Sequence, residues 1–220
     1  GRLVFVHSPD GGESWSHSIV ISEEGSDNRN PAFGVTSKGT LLASFIKQVN
    51  YTDGVYLPGN TEDIPIKPTP LYLPRSEDHG KTWTTELAKV DGNDEFIVGS
   101  PFGKMLTLSD GRIMMHYYLH GVTAFITSDD DGHTWGKPTV ISDGGYNETG
   151  LCDLGDGIFM AVFRDRNDGC LWQSRSEDDA KTWSEPIRIT DATEHPGDVI
   201  KLDDGRVLLT YGRRTTPFSI

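Results

Sequence analysis

The chain has 220 residues, 35% hydrophobic and 24% charged, and its 33 acidic residues outnumber 20 basic ones to give a formal charge of -13. That balance fits a folded domain with a sizeable core and excludes a disordered or fibrous chain. The acidic excess argues against a nucleic-acid partner, because phosphates select a basic face.

In chain order, the first predicted element is the apolar run LVFVH, a strand that leads directly into a polar turn, SPDGGESW, from Ser8. Near-copies follow: SEDHGKTW from Ser76, SDDDGHTW from Ser128 and SEDDAKTW from Ser176. Their aspartates stand at 10, 78, 130 and 178, intervals of 68, 52 and 48 residues, which reads as a unit of about 50 residues with one enlarged member. A second landmark keeps step: Lys38-Gly39, Asp110-Gly111, Asp156-Gly157 and Asp204-Gly205, each followed by an apolar β-rich run. Glycine can take the positive φ of a tight turn, so each landmark predicts a hairpin. Each unit is then four short antiparallel strands: strand, tight turn, strand, loop, strand, aspartate turn, strand.

Small sheets that cannot bury both faces alone must stack, and radial stacking about an axis gives an all-β fold, the β-propeller. Trp15, Trp83, Trp135 and Trp183 then serve as apolar plates between neighbouring sheets. The turn aspartate has a local task, accepting backbone N–H groups of its own turn. Asp129 to Thr134 resembles the start of a calcium loop, but no glutamate follows at the spacing of a bidentate last ligand. Cys152 and Cys170 are expected to be unlinked apolar fillers with a strand between them. No run of about 18 apolar residues occurs, and the N-terminus lacks the charged-then-apolar layout of a signal peptide, so neither a membrane-spanning helix nor a leader is expected.

The repeated Ser-x-Asp-x-Gly-x-Thr-Trp turn resembles the Asp-box of the sialidase (neuraminidase) superfamily, and the likeness runs through the whole chain. The resemblance implies a six-bladed propeller, of which this chain represents roughly four blades: residues 1–21 end one blade, 22–90 form a blade with a long insertion over 47–70, 91–142 and 143–190 form two more, and 191–220 begin the next. The unit opened by Gly205 should place its aspartate turn near position 225, beyond Ile220, so the chain reads as a piece of a larger propeller.

In such a propeller the ligand site lies on the axis, at the end opposite the aspartate turns. Ten residues before each turn glycine stand Arg29, Pro101, Asn147 and His195, with Asn30, Phe102, Glu148 and Pro196 one step on. Seven to nine residues after it stand Ile46 to Gln48, Tyr118 to His120, Arg164 to Arg166 and Gly212 to Arg214. The charges in these slots are suited to an acidic sugar, since converging arginines bind a carboxylate by bidentate, charge-assisted hydrogen bonds.

The family likeness assigns roles. Arg29-Asn30-Pro31 matches the segment that carries the first sialidase arginine, with Asn30 departing from the pattern. Arg164 matches the second, and Arg214, ahead of Arg213, the third. Glu148 matches the glutamate that takes the proton of a tyrosine nucleophile, and that tyrosine is expected beyond Ile220. The aspartate acid/base falls in the insertion, at Asp53 in preference to Asp63. His195 is expected either to support the structure or to touch substrate. Tyr51, Tyr117, Tyr118 and Tyr146 do not match the nucleophile's late position. The implied activity is exo-sialidase hydrolysis of a terminal sialic acid or related acidic sugar with retention, with no metal or organic cofactor and no membrane insertion. By the same likeness the location would be secreted or periplasmic. A non-catalytic propeller binding glycan or protein, and a hydrolase or lyase for another sugar, are the alternatives.

Overall fold

The computed structural model describes residues 1–22, 27–48, 51–52, 55–56, 70–91 and 99–216. Every regular element among them is a β-strand. The first large sheet is a meander of Asp27–Val35, Leu41–Gln48, Leu71–Ser76 and Thr84–Leu87, joined along its inner edge by the parallel Gly103–Lys104. The second pairs Ile113–Leu119 with Val122–Ser128 and Thr139–Ser142, with Ser100–Pro101 and Leu106–Thr107 along its inner side. A third consists of Tyr146–Gly155, Ile158–Asp165, Leu171–Ser176 and Ile187–Arg188, and a hairpin of Glu194–Lys201 with Val207–Arg213 follows. The two short strands Val4–Phe5 and Ile19–Val20 pair at the start.

The strand, hairpin, strand, aspartate-turn, strand order of the predicted unit thus recurs three times. In each turn the serine hydroxyl donates to aspartate Oδ1 at 2.8–2.9 Å. The N–H of the residue four past the aspartate donates to the same oxygen at 2.8–2.9 Å, and its hydroxyl donates to Oδ2 at 2.5–2.7 Å. The carboxylate therefore satisfies a turn that no sheet partner reaches. Trp83, Trp135 and Trp183 donate their indole N–H to the carbonyl three residues back, at 3.0–3.2 Å.

These indoles lie where sheet meets sheet. Trp135 is buried with Leu42 and Leu73 of the first sheet and Met115 and Ile126 of the second. Trp183 packs on the cluster shared by the second and third, and Trp83 on the one between the N-terminal pair and the first. Trp15 departs from the expectation: it is 64% exposed and plates no sheet junction. Its turn has serine for threonine, but nothing described covers the indole.

Inner strands approach each other closely. A Cβ on Gly34 would lie 2.6 Å from Met105 Cβ, and one on Gly150 would lie 3.3 Å from the Gly197 carbonyl oxygen. The ammonium of Lys104 reaches Asp198 Oδ1 at 3.2 Å and the Val199 carbonyl, while Lys201 Nζ donates to the Leu154 carbonyl at 2.6 Å. Both lysines tie the terminal hairpin to the preceding sheets. Cys152 and Cys170 are buried free thiols, with the strand Ile158–Asp165 between them.

Candidate functional site

Three innermost strands lose register within one position of the same step. Pairing skips from Arg29 to Ala32, from Tyr146 to Thr149 and from Glu194 to Gly197. Asn30-Pro31, Asn147-Glu148 and His195-Pro196 are thereby two residues facing one, and the residue facing Asn147-Glu148 is Arg164. Such bulges re-aim side chains out of the pleat's alternation. Asn30 takes φ 51, in the left-handed region that asparagine tolerates better than most residues. All three bulges sit at the strand ends remote from the aspartate turns.

The re-aimed groups converge. Arg164 Nη1 donates to Glu148 Oε2 at 3.0 Å, and His195 Nδ1 lies 4.0 Å from that same oxygen. From the terminal hairpin, Arg214 Nε donates to the His195 carbonyl at 3.2 Å, and its own N–H donates to the Thr193 carbonyl at 2.9 Å. Asn30 Nδ2 donates to Ser100 Oγ at 2.6 Å and to the Tyr118 hydroxyl oxygen at 2.9 Å. Burial pushes the Tyr118 phenol above its usual range; Glu148 adds to that and Arg164 opposes it, so the Asn30 group adjoins the same charges. His195 is 8% exposed. Burial, then the positive charges of Arg164 and Arg214, hold its imidazole below the ordinary 6.5 against the pull of Glu148, so it is neutral at pH 7.

Buried polar atoms without a hydrogen-bond partner among the described residues gather here: Arg164 Nε, His195 Nδ1, Asn147 Oδ1 and Thr193 Oγ1. Buried polar groups are ordinarily partnered, so a concentration of exceptions marks a place built for something else. The loop at Gly169, with φ +69, presses on the other side of His195: a Cβ there would lie 2.7 Å from Cδ2 and 2.9 Å from Nε2.

Of the residues singled out from sequence, Glu148, Arg164, His195 and Arg214 come together. Arg213 does not join them: its Nε donates to Thr215 Oγ1 at 3.1 Å. Arg29 is ion-paired through Nε with Asp27 on its own strand. Asp53 and Asp63 lie outside the described residues. Ser100 lies outside the counted slots, whereas Tyr118, which does not match the nucleophile's late position, stands in a slot at a strand end beside the axis. Asn30 stood there only as a departure from a pattern, yet it is the residue that links Ser100 and Tyr118.

Two clefts lie at the other end of the sheets. One of about 530 Å³ is lined by Lys89, Arg112, Asp129 and Trp135 among others, and one of about 240 Å³ by Asp110, Asp153, Asp156 and Asp179 among others. Glu77, Asp131 and His133 have ligand atoms within 4.8 Å of one another, a spacing that suits a cation. The buried Arg75 guanidinium already stands among them, 3.2 Å from Glu77 Oε1, 3.1 Å from Asp131 Oδ2 and 3.3 Å from His133 Nδ1.

Antiparallel sheets packed side by side, with inner strands in close contact and polar bulges at one end, define an all-β propeller of the sialidase-like type. The chain belongs to the BNR repeat-like domain family, whose model matches residues 2–217. Among solved structures it is similar to a protein of unknown function from Dyadobacter fermentans (TM-score 0.74, 23% identity, covering 99% of this chain and 66% of that one). It is also similar to the NanB sialidase of Streptococcus pneumoniae (TM-score 0.72, 14% identity, 94% and 50% covered). A third likeness is to an α-L-arabinofuranosidase of Fusarium graminearum (TM-score 0.59, 18% identity, 84% and 56% covered). The chain spans between half and two thirds of the length of these three structures. No curated protein matches it.

Proposed function

We propose that the full-length protein is a glycoside hydrolase that removes a terminal acidic sugar of the sialic acid class with retention of configuration. The observation that carries this reading is the meeting of Arg164 and Arg214, from two different sheets, around Glu148 and His195. Arg164 spends one nitrogen on Glu148 and keeps a buried, unpartnered Nε, and Arg214 spends its Nε on a carbonyl. A sugar carboxylate would take guanidinium N–H groups that remain. Arg29 would join them by exchanging Asp27 for the ligand. Glu148 would accept the proton of a tyrosine nucleophile, a choice that avoids a second carboxylate at an anomeric centre already bearing one. Asp53 would act as acid/base. This chemistry calls for no metal or organic cofactor.

The acids on two of the three arginines, Asp27 on Arg29 and Glu148 on Arg164, favour a second reading in which the sugar is neutral. The NanB sialidase and the arabinofuranosidase act on different sugars, so the likenesses support either. Release of a fluorescent aglycone from an α-sialoside and from an α-L-arabinofuranoside by the full-length protein separates them. Turnover of the sialoside, lost by about 10²-fold in Arg164→Ala, is the expected result. Turnover of the arabinofuranoside alone moves the protein to the neutral-sugar reading, and inertness toward both sinks the hydrolase reading for these sugars.

A further inference from the structure

We infer that the cleft of about 530 Å³ at the aspartate-turn end of the sheets is a second binding site, for a neutral oligosaccharide, separate from the axial group of Glu148, Arg164, His195 and Arg214. The cleft lies where the first sheet meets the second. There Lys89–Val90, which continues past the first sheet's outer strand, pairs in parallel with Thr134–Trp135 of the next sheet's aspartate turn. Among the described residues no other junction ties an aspartate turn to its neighbour in this way. The tie sets one wall against the other: Lys89 and Asp91 come from the side of the first sheet, Arg112 and Asp129 from the second, with the buried Val90 and Trp135 between them. The volume falls within the roughly 300–1,000 Å³ span of small-molecule sites.

Two cations and two carboxylates line this space, so its charge is balanced. The side chains of Lys89, Asp91 and Asp129 make no hydrogen bond or ion pair among the described residues, and Arg112 engages Asp110 Oδ2 through Nε alone, at 2.7 Å. An anionic ligand would have to meet Asp91 and Asp129, and a cationic one Lys89 and Arg112. A hydroxyl suits both, accepting from the cations and donating to the carboxylates, and hydrogen bonds to charged partners are the stronger kind. Arg112 also lines the adjoining cleft of about 240 Å³, whose other charges are Asp110, Asp153, Asp156 and Asp179. A sugar chain extending that way would find acceptors for further hydroxyls in a field that repels acids. A peptide adding as a strand would need free backbone donors. The N–H groups of Asp91, Thr134 and Gly136 are already given to the Trp135 carbonyl, Asp130 Oδ1 and the Thr127 carbonyl, each at 2.8 Å. The cleft therefore offers side chains rather than backbone, which favours a sugar.

The test titrates the full-length protein with four neutral disaccharides, lactose, cellobiose, mannobiose and xylobiose, by calorimetry. At least one should bind, and bind equally well to Arg164→Ala, which lacks a guanidinium of the axial group. Asp129→Ala and Lys89→Met should each weaken that binding about tenfold, the effect of losing one charged hydrogen-bond partner. Both positions are exposed, so the variants should keep the native circular dichroism that makes the comparison valid. If none of the four binds, if Arg164→Ala abolishes binding, or if Asp129→Ala and Lys89→Met bind as tightly as the wild type, the second site is refuted. Aglycone release plays no part in this readout, so the proposed hydrolase activity and the second site stand or fall separately.

Discussion

The carboxylate of each repeated turn works against a backbone that has no sheet to pair with. Hydroxyl and N–H donors hold Asp10 and Asp178 at about 2, the hydroxyl of the residue four positions on being the largest cause. Asp130 also falls to about 2 although burial pushes it upward, and Asp78 is lowered in the same way as the exposed pair. Since the folded-state values lie below the ordinary 3.8, these groups stabilise the fold above about pH 4, and that contribution is lost as pH falls toward 2. Melting temperature should therefore drop steeply across that window, and Asp130→Asn should be less stable at pH 7 with a flatter acid limb. At Gly169 a methyl group would meet the His195 ring in a conformation that already disfavours side chains. Gly169→Ala should cut turnover severalfold while far-UV circular dichroism stays native. The turn residues were legible from sequence because four copies share one local hydrogen-bond plan. The pairing of Arg29 with Asp27 was visible as a neighbouring acid, but which residue Arg29 would face depended on strand geometry that no local pattern encodes.

Among elements, the junction between the first and second sheets carries a clamp the sequence did not reveal. Arg75, on the strand Leu71–Ser76, is 6% exposed and reaches Asp131, 8% exposed, in the turn of the next sheet, where Thr40 also donates at 2.8 Å. Burial pushes the Asp131 carboxyl up, but bonds from Thr36 and Thr40 and the charges of Arg75 and Lys38 outweigh it and leave it lowered. Removing the guanidinium would strand a buried carboxylate, so Arg75→Ala should cost about 3–5 kcal/mol in urea unfolding. At the same junction Gly34→Ala forces a methyl group onto Met105 and should cost about 1–3 kcal/mol. Counting back from the hairpin glycines found the bulges at Asn147-Glu148 and His195-Pro196 and fell one residue short of Asn30-Pro31, because a repeat keeps its spacing only to within the length of its hairpin loop. It could not find Ser100, whose part depends on a hydrogen bond from Asn30 seventy positions earlier, and pairings between sheets leave no periodic trace.

For the molecule as a whole, the propeller was legible because the aspartate turn, the hairpin glycine and the tryptophan recur in step. The state of buried groups near the hub was not. His116, 1% exposed, has no hydrogen bond at either ring nitrogen among the described residues, and burial drives its pKa down to about 4. With the folded value below the ordinary 6.5, the unfolded chain binds the proton more readily between those limits. Global stability should accordingly be complete above pH 6.5 and decline as pH falls toward 4, and His116→Gln should make that slope shallower, leaving the share of His195 and the steeper loss near pH 2.

The two lysine ties to the terminal hairpin reach into the chemistry. That hairpin holds His195 and Arg214, while Glu148 and Arg164 belong to the sheet before it, so the alignment across the site is a relation between two bodies. Lys104 and its partner Asp198 are 30% and 60% exposed, open enough for dissolved ions to weaken their attraction. Raising ionic strength should therefore soften the hold on one half of the pocket, and Lys104→Met should make turnover insensitive to that change. The saltiness of the medium would then act as a tuning peg for how the two halves of the site sit together.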